Sequence, residues 1–218
     1  MCANELLELA YRPLLAFAEQ VDDVAGWTPT LLPGWTARDL LFHLASDCQR
    51  ALVAFATPAS SPVDTDEISY WSHWKPGTAG AQAGLRGTRI MASAWGSVRG
   101  PADLYLGTAR AVLSCARGID PSLVITTQGA TMTANALMST LAVEAGVHQL
   151  DLEPVLAEPP ATPVLAEIRR VLDGLLGEPM PLRWEDVRYI RIGTGRLPIE
   201  DAERAELGGR ADRFPLFG

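Results

Sequence analysis

The stretch Asn135–Leu152, with the sequence NALMSTLAVEAGVHQLDL, decides the fold that we predict for this chain. Apolar residues recur along it at the spacing of a helix face. Glu144, His148 and Asp151 are its only charged or imidazole side chains. The pattern therefore predicts one long helix that carries a small polar group near its carboxyl end.

Three further segments carry apolar residues at three- and four-residue spacing and are predicted to be long helices. The second of them starts at Thr36 and Asp39, a pair typical of a capping box, and the third has Pro101 in its first turn. Four such helices joined by loops predict a four-helix bundle, in which metal and ligand sites form between inward-facing side chains. The three segments are Glu5–Val21, which Pro13 should bend or divide, Ala37–Phe55 and Pro101–Arg117.

The connections between these helices differ in character. Thr57–Gly80 is rich in Pro, Ser, Thr, Asp and Gly, shows no period, and is predicted to be a long surface loop. Its aromatic residues Tyr70, Trp71 and Trp74 are compatible with two roles, the mouth of a binding site or a plug for a gap in the bundle. The other connections are a predicted short helix, Thr88–Ser97, and an irregular segment, Pro121–Thr133.

The chain after the fourth helix is predicted to form a small extension that packs on the bundle. Glu153–Pro163 is rich in Pro and Ala, as linkers are, and Val164–Leu176 has the period of a fifth helix. Charged and apolar residues alternate over Val187–Ile192, which predicts a short strand. We therefore expect a mainly α protein, with a four-helix bundle over residues 1–153 and a short C-terminal α/β extension over residues 164–218.

Composition limits the classes of function. The formal net charge is −8 and Lys75 is the only lysine, which argues against a nucleic-acid partner. The apolar stretches are too short to cross a bilayer and the first residues lack an export signal, so no membrane partner and a cytoplasmic location are expected. Cys2, Cys48 and Cys115 are odd in number and widely spaced, which predicts reduced thiols without a catalytic role.

Glu144 and His148 are one helical turn apart and project from the same face of the fourth helix. Such a pair can chelate a metal, but it is also common as an exposed salt bridge, so a third ligand is needed. His43 supplies that ligand if the second and fourth helices are neighbours. The alternative is a core histidine that forms a hydrogen bond with Asp47, one turn further on. Two imidazoles and one carboxylate are a catalytic zinc set that leaves one coordination position open.

Two segments make the chain recognisable. GWTARDLLFHLA (Gly34–Ala45), followed by EAGVHQLDL (Glu144–Leu152), resembles the mycothiol-dependent maleylpyruvate isomerase family within the DinB-like superfamily. The resemblance also takes in Ile119–Pro121, GTGRLP (Gly193–Pro198) and Pro215–Leu216, and so covers most of the chain.

The resemblance implies a DinB-like four-helix bundle in which a divalent metal, most simply zinc, is bound by His43, Glu144 and His148. It further implies mycothiol as a small-molecule thiol cosubstrate that attacks a small electrophilic substrate, hence an isomerase or an S-transferase. Asp151 either orients an imidazole, or caps or salt-bridges the helix end. Arg196 either reaches the thiol cofactor or an anionic substrate, or is an ordinary arginine of a surface turn. No catalytic residue is assigned.

Two other functions stay open. A metal-dependent hydrolase would use the open coordination position for a water molecule of lowered pKa. A non-catalytic binding or sensing protein would keep the bundle and the metal and use the aromatic loop to contact a partner, because a fold does not by itself imply a function. A homodimer is compatible with the sequence in either case.

Overall fold

Nine α-helices and one β-hairpin make up the computed structural model, which describes residues 1–218. Two 3-10 turns, Ser69–His73 and Gly208–Arg213, complete it. No helix combines the length and the apolar character that a bilayer span requires. In chain order the elements are α1 (Ala3–Gln20), α2 (Asp23–Trp27), α3 (Ala37–Phe55), α4 (Ala79–Ser93), α5 (Arg99–Gly118), β1 (Val124–Thr127), β2 (Ala130–Thr133), α6 (Ala134–Asp151), α7 (Thr162–Leu176), α8 (Asp186–Gly193) and α9 (Asp201–Leu207).

The four predicted helices are present as α1, α3, α5 and α6, and together they form the bundle. α1 packs against α5 and α6, and α3 packs against the same two helices from the other side. The capping box predicted at the start of α3 is formed, since the Thr36 backbone N–H donates to Asp39 Oδ2 at 3.0 Å. Pro13 lies inside α1 without dividing it. The bundle prediction is therefore confirmed.

Helix α6 runs through the middle of the bundle. Every residue of α6 except Asn135 and Glu144 is buried, so the helix packs against neighbours on all sides and also buries a few polar side chains, among them His148 and Asp151. α7 rests directly on it at Gly146, where an added Cβ would lie 2.6 Å from Val164 Cγ1 and 2.8 Å from Ile168 Cδ1. Glycine at this position is what allows the close approach of α7.

Helix α4 lies on the outside of the bundle and is longer than the predicted helix at Thr88–Ser97, because it begins at Ala79. Ala92 is its only buried residue. Two side chains from the start of α3 hold it. Trp35 Nε1 donates to the Leu85 carbonyl at 3.3 Å, and the buried Arg38 donates to the Trp95 carbonyl at 2.8 Å. α4 therefore forms an outer cover over this end of the bundle.

The segment Pro121–Thr133, predicted to be irregular, contains the hairpin of β1 and β2. The strands pair antiparallel, from Val124 opposite Thr133 to Thr127 opposite Ala130. The two turn residues, Gln128 and Gly129, have φ angles of 48° and 82°. These values fit a type I′ turn, which favours Asn, Asp or Gly. A glutamine held at positive φ costs on the order of 1 kcal/mol or more.

The strand predicted at Val187–Ile192 is wrong, because this segment is the helix α8. Arg188 and Arg191 lie on its outer side and form ion pairs with Glu203 at 2.8 Å and Glu153 at 2.9 Å. The C-terminal extension is thus helical and contains no strand, while the division into residues 1–153 and 164–218 stays a prediction. The buried residues of α8 follow the spacing of a helix face: Tyr189, Ile190, Ile192 and Gly193.

Candidate metal centre

The three predicted metal ligands come together between α3 and α6. One ligand atom from each of His43, Glu144 and His148 lies within 4.8 Å of the other two. His43 Nε2 is 3.0 Å from Glu144 Oε1, and His148 Nε2 is 3.3 Å from the same oxygen. α3 and α6 are therefore neighbours, as the metal hypothesis required, and both imidazoles turn the same nitrogen toward one carboxylate.

These distances can be compared with what a metal would need. Two donors that each lie about 2.0–2.1 Å from a tetrahedral zinc ion are about 3.3 Å apart. The two observed nitrogen–oxygen separations are close to that value. The donor set and its spacing therefore fit a zinc ion, and Glu144, which is only half-buried, marks the side from which the site is reached.

The α6 half of the site is anchored by a chain of charged groups. His148 Nδ1 is 2.9 Å from Asp151 Oδ2, and Arg196 donates to both oxygens of Asp151 at 3.0 and 2.9 Å. The Asp151 side chain is 1% exposed. A carboxylate on Nδ1 fixes the ring orientation and leaves Nε2 as the nitrogen that faces a metal. Asp151 thus contacts an imidazole and also forms a salt bridge, and its role in orienting His148 stays a prediction.

Arg196 is the last member of this series of charged contacts. Besides Asp151, its guanidinium donates to the Thr194 carbonyl at 2.9 Å, and only 12% of the side chain is exposed. The residue is therefore neither free nor on an open surface. That Arg196 also binds a thiol cofactor stays a prediction.

The pKa values follow from these contacts. Burial alone lowers the pKa of His148, but the hydrogen bonds to Asp151 and Glu144 outweigh it and raise this pKa to about 9. Burial raises the pKa of Glu144, whereas hydrogen bonds with His148 and His43 bring it well below its usual value. The pKa of His43 is lowered, chiefly by burial. Near pH 7, therefore, both ring nitrogens of His148 are protonated, whereas the imidazole of His43 is neutral.

The α3 half of the site is built differently. Asp47, the hydrogen-bond partner of His43 in the alternative interpretation, lies with Oδ2 3.3 Å from Nε2, the nitrogen that also faces Glu144. Asp47 also forms an ion pair with Arg50. The Trp35 ring packs edge-on against His43 at 5.3 Å between centroids. Asp47 thus adds a carboxylate on the metal side of His43.

Two cavities share Gln128 as a lining residue, and none of the three predicted metal ligands lines either of them. The first, about 410 Å³ in volume, lies along α3 and includes Ser46, one turn after His43, and Arg50. The second, about 330 Å³, lies between the hairpin turn and the aromatic segment and includes Tyr70 and Trp74. The sequence analysis did not identify these cavities, because their walls come from four separate segments of the chain and no local pattern links them.

The aromatic segment takes both of its expected roles. Trp71 is a plug, since it is buried and its ring lies 4.5 Å from that of Phe217. Tyr70 and Trp74 instead face the second cavity. Burial raises the pKa of Tyr70 to about 12, so this hydroxyl stays protonated and can donate a hydrogen bond.

Comparisons with known proteins agree with this architecture. A family model described as "Mycothiol maleylpyruvate isomerase N-terminal domain" matches residues 7–153. No curated protein matches the sequence significantly. Among solved structures, a crystal structure of a histidine-to-alanine mutant of the mycothiol-dependent maleylpyruvate isomerase is similar, with a TM-score of 0.54 and 15% sequence identity. The alignment covers 80% of this chain and 68% of that chain, and at this identity it shows a shared fold.

Proposed function

Because the chain belongs to the mycothiol maleylpyruvate isomerase N-terminal domain family, we propose that it is a metal-dependent enzyme that uses mycothiol. Its reaction would be an isomerisation or an S-transfer in which the thiol attacks a small electrophilic substrate. We propose zinc as the metal, because two imidazoles and one carboxylate are a donor set of catalytic zinc sites. The observation that carries the proposal is the approach of two imidazole nitrogens to one oxygen of Glu144.

The part of the protein in this chemistry would be to hold and to orient. His43, Glu144 and His148 would hold the metal, and Asp151 would keep a proton on Nδ1 of His148 so that Nε2 faces inward. Bound zinc supplies a Lewis acid next to which a thiol ionises near neutral pH. Asp47 Oδ2, which lies on the metal side of His43, is placed to receive the proton of that thiol.

An external thiol is part of the proposal because the chain has no suitable nucleophile of its own. Cys48 is buried 3.5 Å from the Tyr11 hydroxyl, and burial raises its pKa to about 12, which leaves almost no thiolate at neutral pH. Cys2 precedes α1 and Cys115 lies on an exposed side of α5, outside the cluster of metal ligands. The third histidine, His73, lines the second cavity without contacting the cluster.

One observation supports a second candidate. If Asp47 were a fourth metal ligand, the coordination shell would be closed, and closed shells are typical of structural zinc sites. The protein would then be a non-catalytic metal-containing binding or sensing protein. A metal-dependent hydrolase is the third possibility, and it differs from the first in needing no thiol.

The test combines metal analysis with thiol binding. We expect about one divalent metal per purified chain, and mycothiol binding that disappears after chelation and returns with zinc. Turnover of small electrophiles should require both metal and mycothiol. Turnover of an ester or amide without any thiol would move the assignment to a hydrolase, and a metal spectrum showing Asp47 as a fourth protein ligand would favour the non-catalytic candidate.

A further inference from the structure

Gln128 has an unfavourable backbone conformation and lies where two cavities meet. It occupies the first place of the two-residue hairpin turn at a φ of 48°, where Asn, Asp or Gly would fit with less steric cost. Its exposed side chain also lines both cavities. A residue that turn stability does not favour, at the point where two cavities meet, suggests a role for its side chain.

The side chain of Gln128 is oriented by one hydrogen bond. The Tyr70 hydroxyl donates to Gln128 Oε1 at 3.1 Å. Gln128 Nε2 makes no hydrogen bond within the protein, so its N–H groups are free to donate to a ligand. Because Asn is one methylene shorter than Gln, it would suit the turn better but would not reach the same point.

The first cavity joins this amide to the metal centre. Ser46 and Arg50 follow His43 on α3 at the spacing that keeps them near one side of the helix, and both line the cavity that Gln128 closes. Arg50 forms an ion pair with Asp47, whose Oδ2 lies 3.3 Å from His43 Nε2. Arg50 and Asp47 therefore link the first cavity, which Gln128 also lines, to the metal centre.

The chemistry of the walls indicates what the region would accept. Around Gln128 the first cavity presents hydroxyl and amide groups, from Ser46, Gln49, Thr126 and Thr127, and one charge, that of Arg50. The second cavity adds the aromatic rings of Tyr70 and Trp74, whose centroids are 6.2 Å apart, together with the carboxylate of Asp64 and the imidazole of His73. Hydrogen-bonding side chains of both charges beside aromatic rings suit a group that is rich in hydroxyls, such as a sugar.

We propose that Gln128 determines thiol specificity by donating an Nε2–H hydrogen bond to a hydroxyl group of the sugar-like part of a thiol whose sulfur lies at the metal centre. The inference rests on the proposed function and deepens it. It assigns the hairpin turn and the two cavities to the portion of the thiol that does not react. A small thiol without that portion, such as cysteine, would bind the metal centre without contacting Gln128.

The test uses the zinc-loaded full chain and two thiols, mycothiol and cysteine. In the variant Gln128→Asn we expect the dissociation constant for mycothiol to rise by about three- to tenfold, the loss of one neutral hydrogen bond. The constant for cysteine should not change. The midpoint of thermal unfolding should stay the same or increase, because Asn adopts positive φ more easily than Gln.

Two further variants keep the result interpretable. Gln128→Gly also suits the turn and should weaken mycothiol binding in the same way as Gln128→Asn. Tyr70→Phe removes the hydrogen bond that orients Gln128 and should give a smaller loss. Equal weakening of both thiols, or no change for mycothiol, would overturn the inference. Failure of either thiol to bind the wild-type protein in a zinc-dependent manner would instead remove the proposed function, and the inference with it.

Discussion

The two halves of the candidate metal centre are constructed on opposite principles. On α6, His148 is buried and its Nδ1 contacts Asp151, which in turn accepts hydrogen bonds from Arg196. On α3, His43 is 21% exposed, and its carboxylate neighbour Asp47 lies on the side of the metal instead. His148 is therefore fixed in advance by the core, whereas α3 carries Arg50, which pairs with Asp47 and lines the first cavity. The difference suggests that His148 supplies affinity for the metal, while the site is reached from the side of the partly exposed His43 and Glu144.

The strongest test of this comparison removes the anchored ligand. His148→Ala should lose the metal entirely, because a site with one imidazole and one carboxylate lacks the donor set of catalytic zinc. Elemental analysis of the purified variant measures the loss, and circular dichroism checks that the helices remain. His73→Ala is the matched control and should keep about one metal per chain. Full metal content after combined alanine replacement of His43, Glu144 and His148 would disprove the assignment.

A second variant tests the anchor without touching a ligand. Arg196→Met leaves Asp151 buried with only His148 to balance its charge, which should reduce metal affinity by about 10–100-fold. Breaking a buried ion pair on one side should also lower the free energy of unfolding by about 3–5 kcal/mol. Chelator competition measures the affinity, and denaturant unfolding of the metal-free protein measures the stability.

Two controls define the effect of Arg196. Arg110→Met breaks an ion pair with Glu19 in which both side chains are at least half exposed, and should change stability by less than about 1 kcal/mol. The double variant Arg196→Met with Asp151→Asn should be more stable than Arg196→Met alone, since the buried carboxylate that has lost its arginine partner is removed as well. Unaltered metal affinity in Arg196→Met would mean that the α6 half is not anchored through this pair.

The smallest expected effect is on the number of protons released when the metal binds. Hydrogen bonds to Asp151 and Glu144 raise the pKa of His148 to about 9 against the effect of burial, while burial lowers the pKa of His43. Near pH 7, metal binding should therefore release about one proton, from His148 Nε2, and affinity should fall about tenfold for each pH unit below 9. Calorimetry in buffers of different ionisation enthalpy counts the protons. Release of two would mean that the halves do not differ in this respect.

The long helices and the shared face of Glu144 and His148 could be predicted from local sequence because each depends on residues close together in the chain. The capping pair Thr36 and Asp39 fixed the start of α3, and the four-residue spacing of Glu144 and His148 fixed their shared face. The third ligand, His43, needed the additional condition that α3 and α6 are neighbours. Its link to Glu144 spans 101 residues and was reached through the family resemblance.

Predictions from the sequence were wrong where local conformational preference and tertiary packing disagree. Val187–Ile192 has the β-branched and aromatic residues of a strand, but burial against α7 selects the helix α8. The hairpin was missed because its strands are only four residues long and Gln-Gly is a poor turn signal. The contact between Arg196 and Asp151 joins residues 45 positions apart with no pattern to announce it.

Burial of α6 on nearly every side has a consequence for how this architecture can diversify. Each substitution along that helix must satisfy packing against several neighbours, so the segment with Glu144 and His148 is a poor place for new chemistry to arise. The hairpin turn and the outer face of α3 carry exposed residues that can change at little cost to the core. Related chains would therefore be expected to acquire new substrates by varying Gln128 and its neighbours around an unchanged ligand helix.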